Sequence, residues 1–164
     1  MVMHPKILTL EEVTAAARAL RAAGRRVVFT NGCFDLLHIG HTRYLEAARR
    51  EGDALVVGLN SDASVTMLKG PRRPIVPAGE RAEVLAALAC VDFVTVFAEP
   101  DPLHVILAVQ PSVLVKGGDW PESEIVGAAE VRQSGGRVVR IAVVEGAGTT
   151  RIIDRIVARY GRSS

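Results

Sequence analysis

Cysteine is scarce in this chain of 164 residues: Cys33 and Cys90 are the only two. They form no CxxC pair and no cluster with metal-ligand spacing, so no zinc ribbon is spelled out and nothing demands an oxidising compartment. An excess of either charge is also missing. Lys+Arg number 20 against Asp+Glu 18, for a formal net charge of +2, too balanced to argue for nucleic acid as the main partner. No apolar run approaches the roughly 18–20 residues that span a bilayer, and Met1 to Leu10 lacks the apolar centre of a signal peptide. The expectation is a cytoplasmic protein with no membrane partner. Repeats, low-complexity tracts and linkers are absent too, which predicts a single domain over 1–164, with a helical extension at 1–24 and a catalytic core at 25–160.

Several site motifs are missing as well. No GxxxxGK[ST] occurs, and there is no HExxH, no GxSxG and no carboxylate pair at useful spacing. Gly146-Ala147-Gly148 starts like a dinucleotide fingerprint, but Thr149-Thr150-Arg151 follows and the third glycine is absent, which counts against a standard NAD site.

What is there is an alternation of apolar strands and helices. Short apolar runs at Arg26–Thr30, Ala54–Asn60, Phe93–Phe97, Ser112–Lys116 and Arg137–Val143 read as five buried strands. Helical patterns occupy Leu10–Ala23, Gly40–Arg50, a short stretch through Val65 and Leu68, Ala78–Ala89, Pro102–Val109, Glu124–Gln133 and Thr149–Arg159. The expected fold is α/β: a Rossmann-like, doubly wound, parallel five-stranded sheet with helices on both faces. Ligands of such folds sit at the carboxyl ends of strands. The polar and Gly-rich clusters at 30–35, 60–62, 116–119 and 145–150 all follow strands and should converge on one sheet edge.

The most informative cluster ends in His38-Ile39-Gly40-His41. Three residues apart at a helix start, the two histidines share one face, and Gly40 is expected to let a ligand approach the backbone. Unpaired N–H groups and the positive dipole end complete a site for a phosphate chain. Zinc ligation by the two imidazoles is the alternative, for which no third or fourth ligand lies nearby in sequence. Cys33 is either a thiolate activated by a helix N-terminus or a small buried side chain. Asp35 caps the helix, orients a histidine or binds a metal.

Lys69, Arg72 and Arg73 lie in a loop broken by Pro and Gly, where they either stay solvated or close over a polyphosphate. Lys116 ends a buried strand before Gly117-Gly118-Asp119, a position that faces ligand. Asp119 and Trp120 either cap and pack the next helix or border a nucleoside pocket. Thr149 and Thr150 open the last helix, as N-cap, as phosphate ligands, or both.

With these segments in order, the chain resembles the cytidylyltransferase-like nucleotidyltransferases, whose HxGH signature is matched by residues 38–41. Thr30-Asn31-Gly32-Cys33-Phe34-Asp35, Asn60-Ser61-Asp62, Arg72-Arg73-Pro74-Ile75, Lys116-Gly117-Gly118-Asp119-Trp120 and Thr149-Thr150 narrow the resemblance to the D-glycero-β-D-manno-heptose 1-phosphate adenylyltransferases. Two departures stand out. The related cytidylyltransferases of glycerol 3-phosphate and similar alcohol phosphates, the alternative reading, carry an arginine at the start of the segment that is Val143-Val144-Glu145-Gly146-Ala147-Gly148 here, and the heptose enzymes carry Ser where Gly148 stands.

The resemblance implies transfer of AMP from ATP, with Mg2+, to a heptose 1-phosphate. It also implies a separate sugar kinase upstream, the chain looking like a free-standing form of an enzyme often fused to that kinase. On this basis His38, His41 and Lys69 are expected to act on the phosphates. Thr30, Asn31, Gly32, Cys33, Phe34, Gly40, Arg81, Lys116, Gly117, Gly118, Asp119, Thr149 and Thr150 are expected to hold the nucleotide. Asp35, Asn60, Asp62, Arg72 and Arg73 are assigned to the acceptor, and no residue to a protein-held metal. A homodimer is expected, with the N-terminal helix and the 69–77 loop as candidate contacts, and a non-catalytic nucleotide-binding module is the reading from another class.

Overall fold

A computed structural model describes residues 4–118 and 121–161, with the side chain of Glu122 excepted. Five parallel strands form one sheet in the order β3-β2-β1-β4-β5, as expected. They are β1 (Val27–Gly32), β2 (Ala54–Asn60), β3 (Phe93–Phe97), β4 (Val113–Gly117) and β5 (Arg137–Ile141). The helices are α1 (Leu10–Ala22), α2 (Ile39–Arg50), α3 (Asp62–Lys69), α4 (Ala78–Ala86), α5 (Leu103–Val109), α6 (Ala128–Gln133) and α7 (Thr149–Tyr160).

Every residue of β2 is buried, as a parallel strand covered on both faces requires. Alternation splits the core in two. Val28, Val57, Leu59, Val94 and Val115 point to one face, with Leu45 and Ala48 of α2 and Ala82, Leu85 and Ala86 of α4. Val27, Phe29, Val56 and Leu114 point to the other, with α1, α5 and α6. Helix α1, opened by a Thr9–Glu12 capping box, lies in this second layer, where Val13 and Ala17 are fully buried. The segment before it runs beside β3, where Ile7 bridges Val94 and Leu8 N–H donates to the Val94 carbonyl at 2.9 Å, covering part of that edge.

Register shows where the sheet opens. Strand β1 pairs with β2 from Val27↔Ala54 to Gly32↔Leu59, and β4 with β5 from Val113↔Arg137 to Gly117↔Ile141. Between β1 and β4 the pairing covers only Val28↔Val113 and Phe29↔Leu114. The two central strands therefore part toward their carboxyl ends. This is the switch point, where the chain reverses its winding direction and open α/β sheets leave a crevice.

Element boundaries differ from expectation where glycines intervene. The helix expected from Glu124 is a 3-10 turn at Glu122–Glu124, and α6 starts only at Ala128. Gly127 between them sits at φ +84°, and a Cβ there would lie 2.6 Å from Ile106 Cδ1, so glycine is required and the helix is interrupted. Strand β1 runs two residues past Thr30, carrying Asn31 and Gly32 on regular backbone. Among the described residues no helix is long and apolar enough to cross a membrane.

Candidate active site

The crevice widens into a cavity of about 800 Å3. Its floor is Asn31, Gly32, Lys116 and Gly117 at the ends of β1 and β4, and its walls come from α2, the α3–α4 loop, residues 124–126 and the β5–α7 segment. The polar clusters expected to converge do so, among the described residues.

His38 is the N-cap of α2, and its Nδ1 accepts from Gly40 N–H at 3.1 Å. A neutral ring that accepts at Nδ1 carries its proton on Nε2, which makes His38 a hydrogen-bond donor. His41 stacks on it, with centroids 3.9 Å apart and 24° between planes, and Phe34 packs against His41 at 5.2 Å. His41 Nδ1 is buried without a hydrogen-bond partner. Burial, with His38 adding to it, pushes the His41 pKa down to about 4, and burial lowers that of His38, so both rings are uncharged at neutral pH. Phe34 holds φ +43°, a conformation unfavourable by about 1–2 kcal/mol for a side-chain-bearing residue.

Beside this loop, α7 follows its N-cap Gly148 with no side-chain cap. Its first amides are therefore unsatisfied by side chains, and Gly148, Thr149, Thr150 and Arg151 all line the cavity. The Thr149 hydroxyl reaches the Leu36 carbonyl at 3.5 Å, tying this end of α7 to the loop that carries the histidines. The sequence reading offered Thr as the N-cap; the cap is Gly148, which leaves both hydroxyls out of that role. Lys69, on the end of α3, completes the set expected to act on phosphates in lining the cavity.

Gly40 lines the cavity and also makes room for protein: a Cβ there would lie 2.9 Å from the His38 ring and 3.0 Å from Ala147 Cβ. Other expected residues serve the scaffold instead. Thr30 is fully buried and off the cavity, its hydroxyl 2.6 Å from Tyr44 Oη, which donates to the Val115 carbonyl at 3.2 Å. Tyr44 itself lines the cavity and was missed, although it lies one turn after His41 on the same helix face. Gly118 stands at φ +89° with its N–H on the Ile141 carbonyl, and does not line the cavity.

Asp35 does not cap α2. Its carboxylate, buried with 4% exposure, accepts from Ile75 N–H at 2.8 Å and Val76 N–H at 2.9 Å, and pairs with Arg73 Nε. Burial opposes the charge, but these amides and the guanidinium hold the Asp35 pKa below its ordinary value. Arg73 and Asn60 reach the cavity, whereas Arg72 is exposed away from it.

Arg81 is the largest correction. Expected to bind nucleotide, it is 2% exposed and donates to the carbonyls of Val76, Cys33 and Asn60 at 2.8, 2.6 and 3.0 Å and to Asp62 Oδ1 at 2.7 Å. A guanidinium has five N–H groups in a rigid fork, and this one binds three loops together. Asp62, its partner, is likewise outside the cavity lining.

Cys33 lines the cavity, but burial pushes its thiol pKa up against the pull of Lys69, Arg81 and Arg73, so it is no activated thiolate. Asp119 and Trp120 lie outside the described residues. Lining the cavity without having been expected to bind are Leu68, Glu124, Ile125, Val126, Val143, Val144, Ala147 and Arg151. Val126 and Val143 are exposed apolar side chains (37% and 71%), and with Ile125 and Val144 they give one end of the cavity an apolar wall. Among the described residues, no three His, Cys, Asp or Glu side chains come together to hold a metal ion.

Two outcomes follow from this arrangement. Arg81→Met leaves three carbonyls and a carboxylate without their donor and should cost roughly 2–5 kcal/mol of stability; an unchanged denaturation midpoint contradicts the clamp. His41, with its pKa lowered in the folded state, contributes stability that is present above its ordinary pKa of 6.5 and is lost as pH falls toward about 4. His41→Asn should therefore flatten the decline in melting temperature across that interval, and an identical slope in both proteins refutes the burial.

Comparison with known proteins identifies the family of the chain. Residues 29–155 match the cytidylyltransferase-like family model. The protein named bifunctional protein HldE of Trichlorobacter lovleyi is 53% identical over 155 residues, which cover 94% of this chain and 32% of that one. The protein of the same name from Geotalea uraniireducens is 54% identical, covering 93% and 32%. The chain thus spans about a third of the length of these relatives. The crystal structure of a lipopolysaccharide core biosynthesis protein from Thermoplasma volcanium is 27% identical, covering 76% of this chain and 100% of that chain, with a TM-score of 0.61. The chain belongs to the cytidylyltransferase-like family.

Proposed function

We propose that the protein transfers AMP from MgATP to a sugar 1-phosphate, D-glycero-β-D-manno-heptose 1-phosphate, releasing pyrophosphate and ADP-heptose. An acceptor phosphate oxygen attacks the α-phosphorus in line, and the bond from that phosphorus to the bridging oxygen of pyrophosphate breaks. A phosphate monoester has its second pKa near ~6 and is mostly dianionic at neutral pH, so the nucleophile needs no general base. Positioning and charge stabilisation then carry the rate.

The observation that carries this reading is the meeting of two donor groups at one cavity: the His38–His41 stack and, beside it, the uncapped N-terminus of α7. Together they suit a triphosphate lying against both, with His38 Nε2–H, the first amides of α7 and the Thr150 hydroxyl as donors. The apolar wall of Ile125, Val126, Val143 and Val144 suits a nucleobase, and Asn60, Lys69 and Arg73 at the other end suit the acceptor.

Mg2+ enters as part of the nucleotide substrate, where it neutralises phosphate charge. Among the described residues the carboxylates lining the cavity are Asp35, taken up by Arg73 and two amides, and Glu124. The resemblance to heptose adenylyltransferases supports the sugar, and the solved relative is described as a lipopolysaccharide core biosynthesis protein. The same reading includes a cytoplasmic location beside the ATP pool, a sugar kinase that supplies the 1-phosphate, and a homodimer.

Pyrophosphate release across ATP and CTP, with heptose 1-phosphate and glycerol 3-phosphate as acceptors, tests the reaction. ATP with the heptose phosphate should be the active pair, and His41→Ala should lower its turnover by at least ~100-fold with the fold intact. Release from no sugar phosphate, or near-normal turnover in the variant, overturns the proposal.

A further inference from the structure

The charges lining the cavity are unevenly committed. Arg73 is paired with Asp35, and both histidines are uncharged at neutral pH. Lys69 is exposed on the end of α3, and Arg151 is exposed in the first turn of α7. Lys116 differs from all of these. It ends β4 at the switch point, its Nζ donates to the neutral amide oxygen of Asn31 on β1, Arg140 of β5 stands in register beside it, and among the described residues no carboxylate pairs with it. An ammonium has three donors; Asn31 takes one and orients the group across the gap between the parted strands. Burial alone brings its pKa down to about 8, as withdrawal of an ammonium from water does.

The position fixes what that counter-charge is. Lys116 lies on the cavity floor, flanked on the β5 side by the apolar wall and on the β1 side by the histidine-bearing loop. A nucleotide with its base on that wall and its triphosphate between α2 and α7 passes its first phosphate over this floor. We infer that Lys116 receives the α-phosphate of the nucleotide, the group under attack, an assignment that rests on the adenylyl-transfer reading above. Its charge also offsets the repulsion that arises when a phosphate dianion approaches that centre. Asn31 acts through Lys116 and is a positioning residue.

The test compares calorimetric binding of AMP, which has the α-phosphate, with binding of adenosine, which has none. It is run on the wild type, Lys116→Met, Lys116→Gln and Lys116→Arg, with pyrophosphate release measured alongside. The uncharged variants should weaken AMP by ~10-fold or more, leave adenosine within about twofold and lower kcat/KM by ~100-fold; Lys116→Arg should recover part of the AMP affinity. Equal losses for AMP and adenosine would reveal a packing role and overturn the assignment, as would AMP affinity unchanged in both uncharged variants. The two failures are separable. Wild type that binds AMP through Lys116 but releases no pyrophosphate with any sugar phosphate upholds the lysine and sinks the adenylyl-transfer reading. Wild type that turns over and uncharged variants that match it do the reverse.

Discussion

The brief pairing of β1 with β4 is the constraint on which the rest of the molecule depends. Two central strands in register only at Val28↔Val113 and Phe29↔Leu114 must separate beyond those residues. Their separated ends carry Asn31, Gly32, Lys116 and Gly117 at the bottom of the cavity. Tyr44 of α2 bridges the two strands from above, through the Thr30 hydroxyl on β1 and the Val115 carbonyl on β4. The crevice is thus open for ligand and yet braced. The helices that follow β1 and β5 start at its rim, which is why the N-termini of α2 and α7 face one volume.

Around that crevice, buried charge is used to hold backbone. Asp35 fastens residues 73–76 to the loop after β1, and Arg81 fastens the carbonyls of residues 33, 60 and 76 to α4. Each group is surrounded by hydrogen-bond partners, the condition under which a buried charge stabilises rather than disrupts. The groups left for a ligand are of a different kind: neutral imidazole donors, uncapped helix amides, the Thr150 hydroxyl and Lys116, which has no acidic partner among the described residues. Scaffold charges are satisfied within the protein, and site groups retain donors that a polyphosphate would complete.

Local chemistry was the legible part of this sequence. The five strands, their parallel arrangement and the HxGH turn could be read because each depends on a short window of apolar periodicity and turn residues. Tyr44 was legible too, one helical turn past His41, but a lone aromatic on a helix reads as core. Asp35 and Arg81 were misassigned for one physical reason: their partners lie far away in sequence, 38 to 41 positions for Asp35 and up to 48 for Arg81. Apart from the Arg81–Val76 bond, five positions apart, no local window holds those contacts. The apolar wall was hidden in the same way, since Ile125 and Val126 meet Val143 and Val144 only once β4 and β5 are paired.

The most direct measurement is a crystal structure with a non-hydrolysable ATP analogue and Mg2+. The triphosphate should run between His38 Nε2 and the first amides of α7, with the base against Val126 and Val143 and the α-phosphate over Lys116. A nucleotide bound with its phosphates away from both helix N-termini, or outside the β1–β4 crevice, would contradict the account.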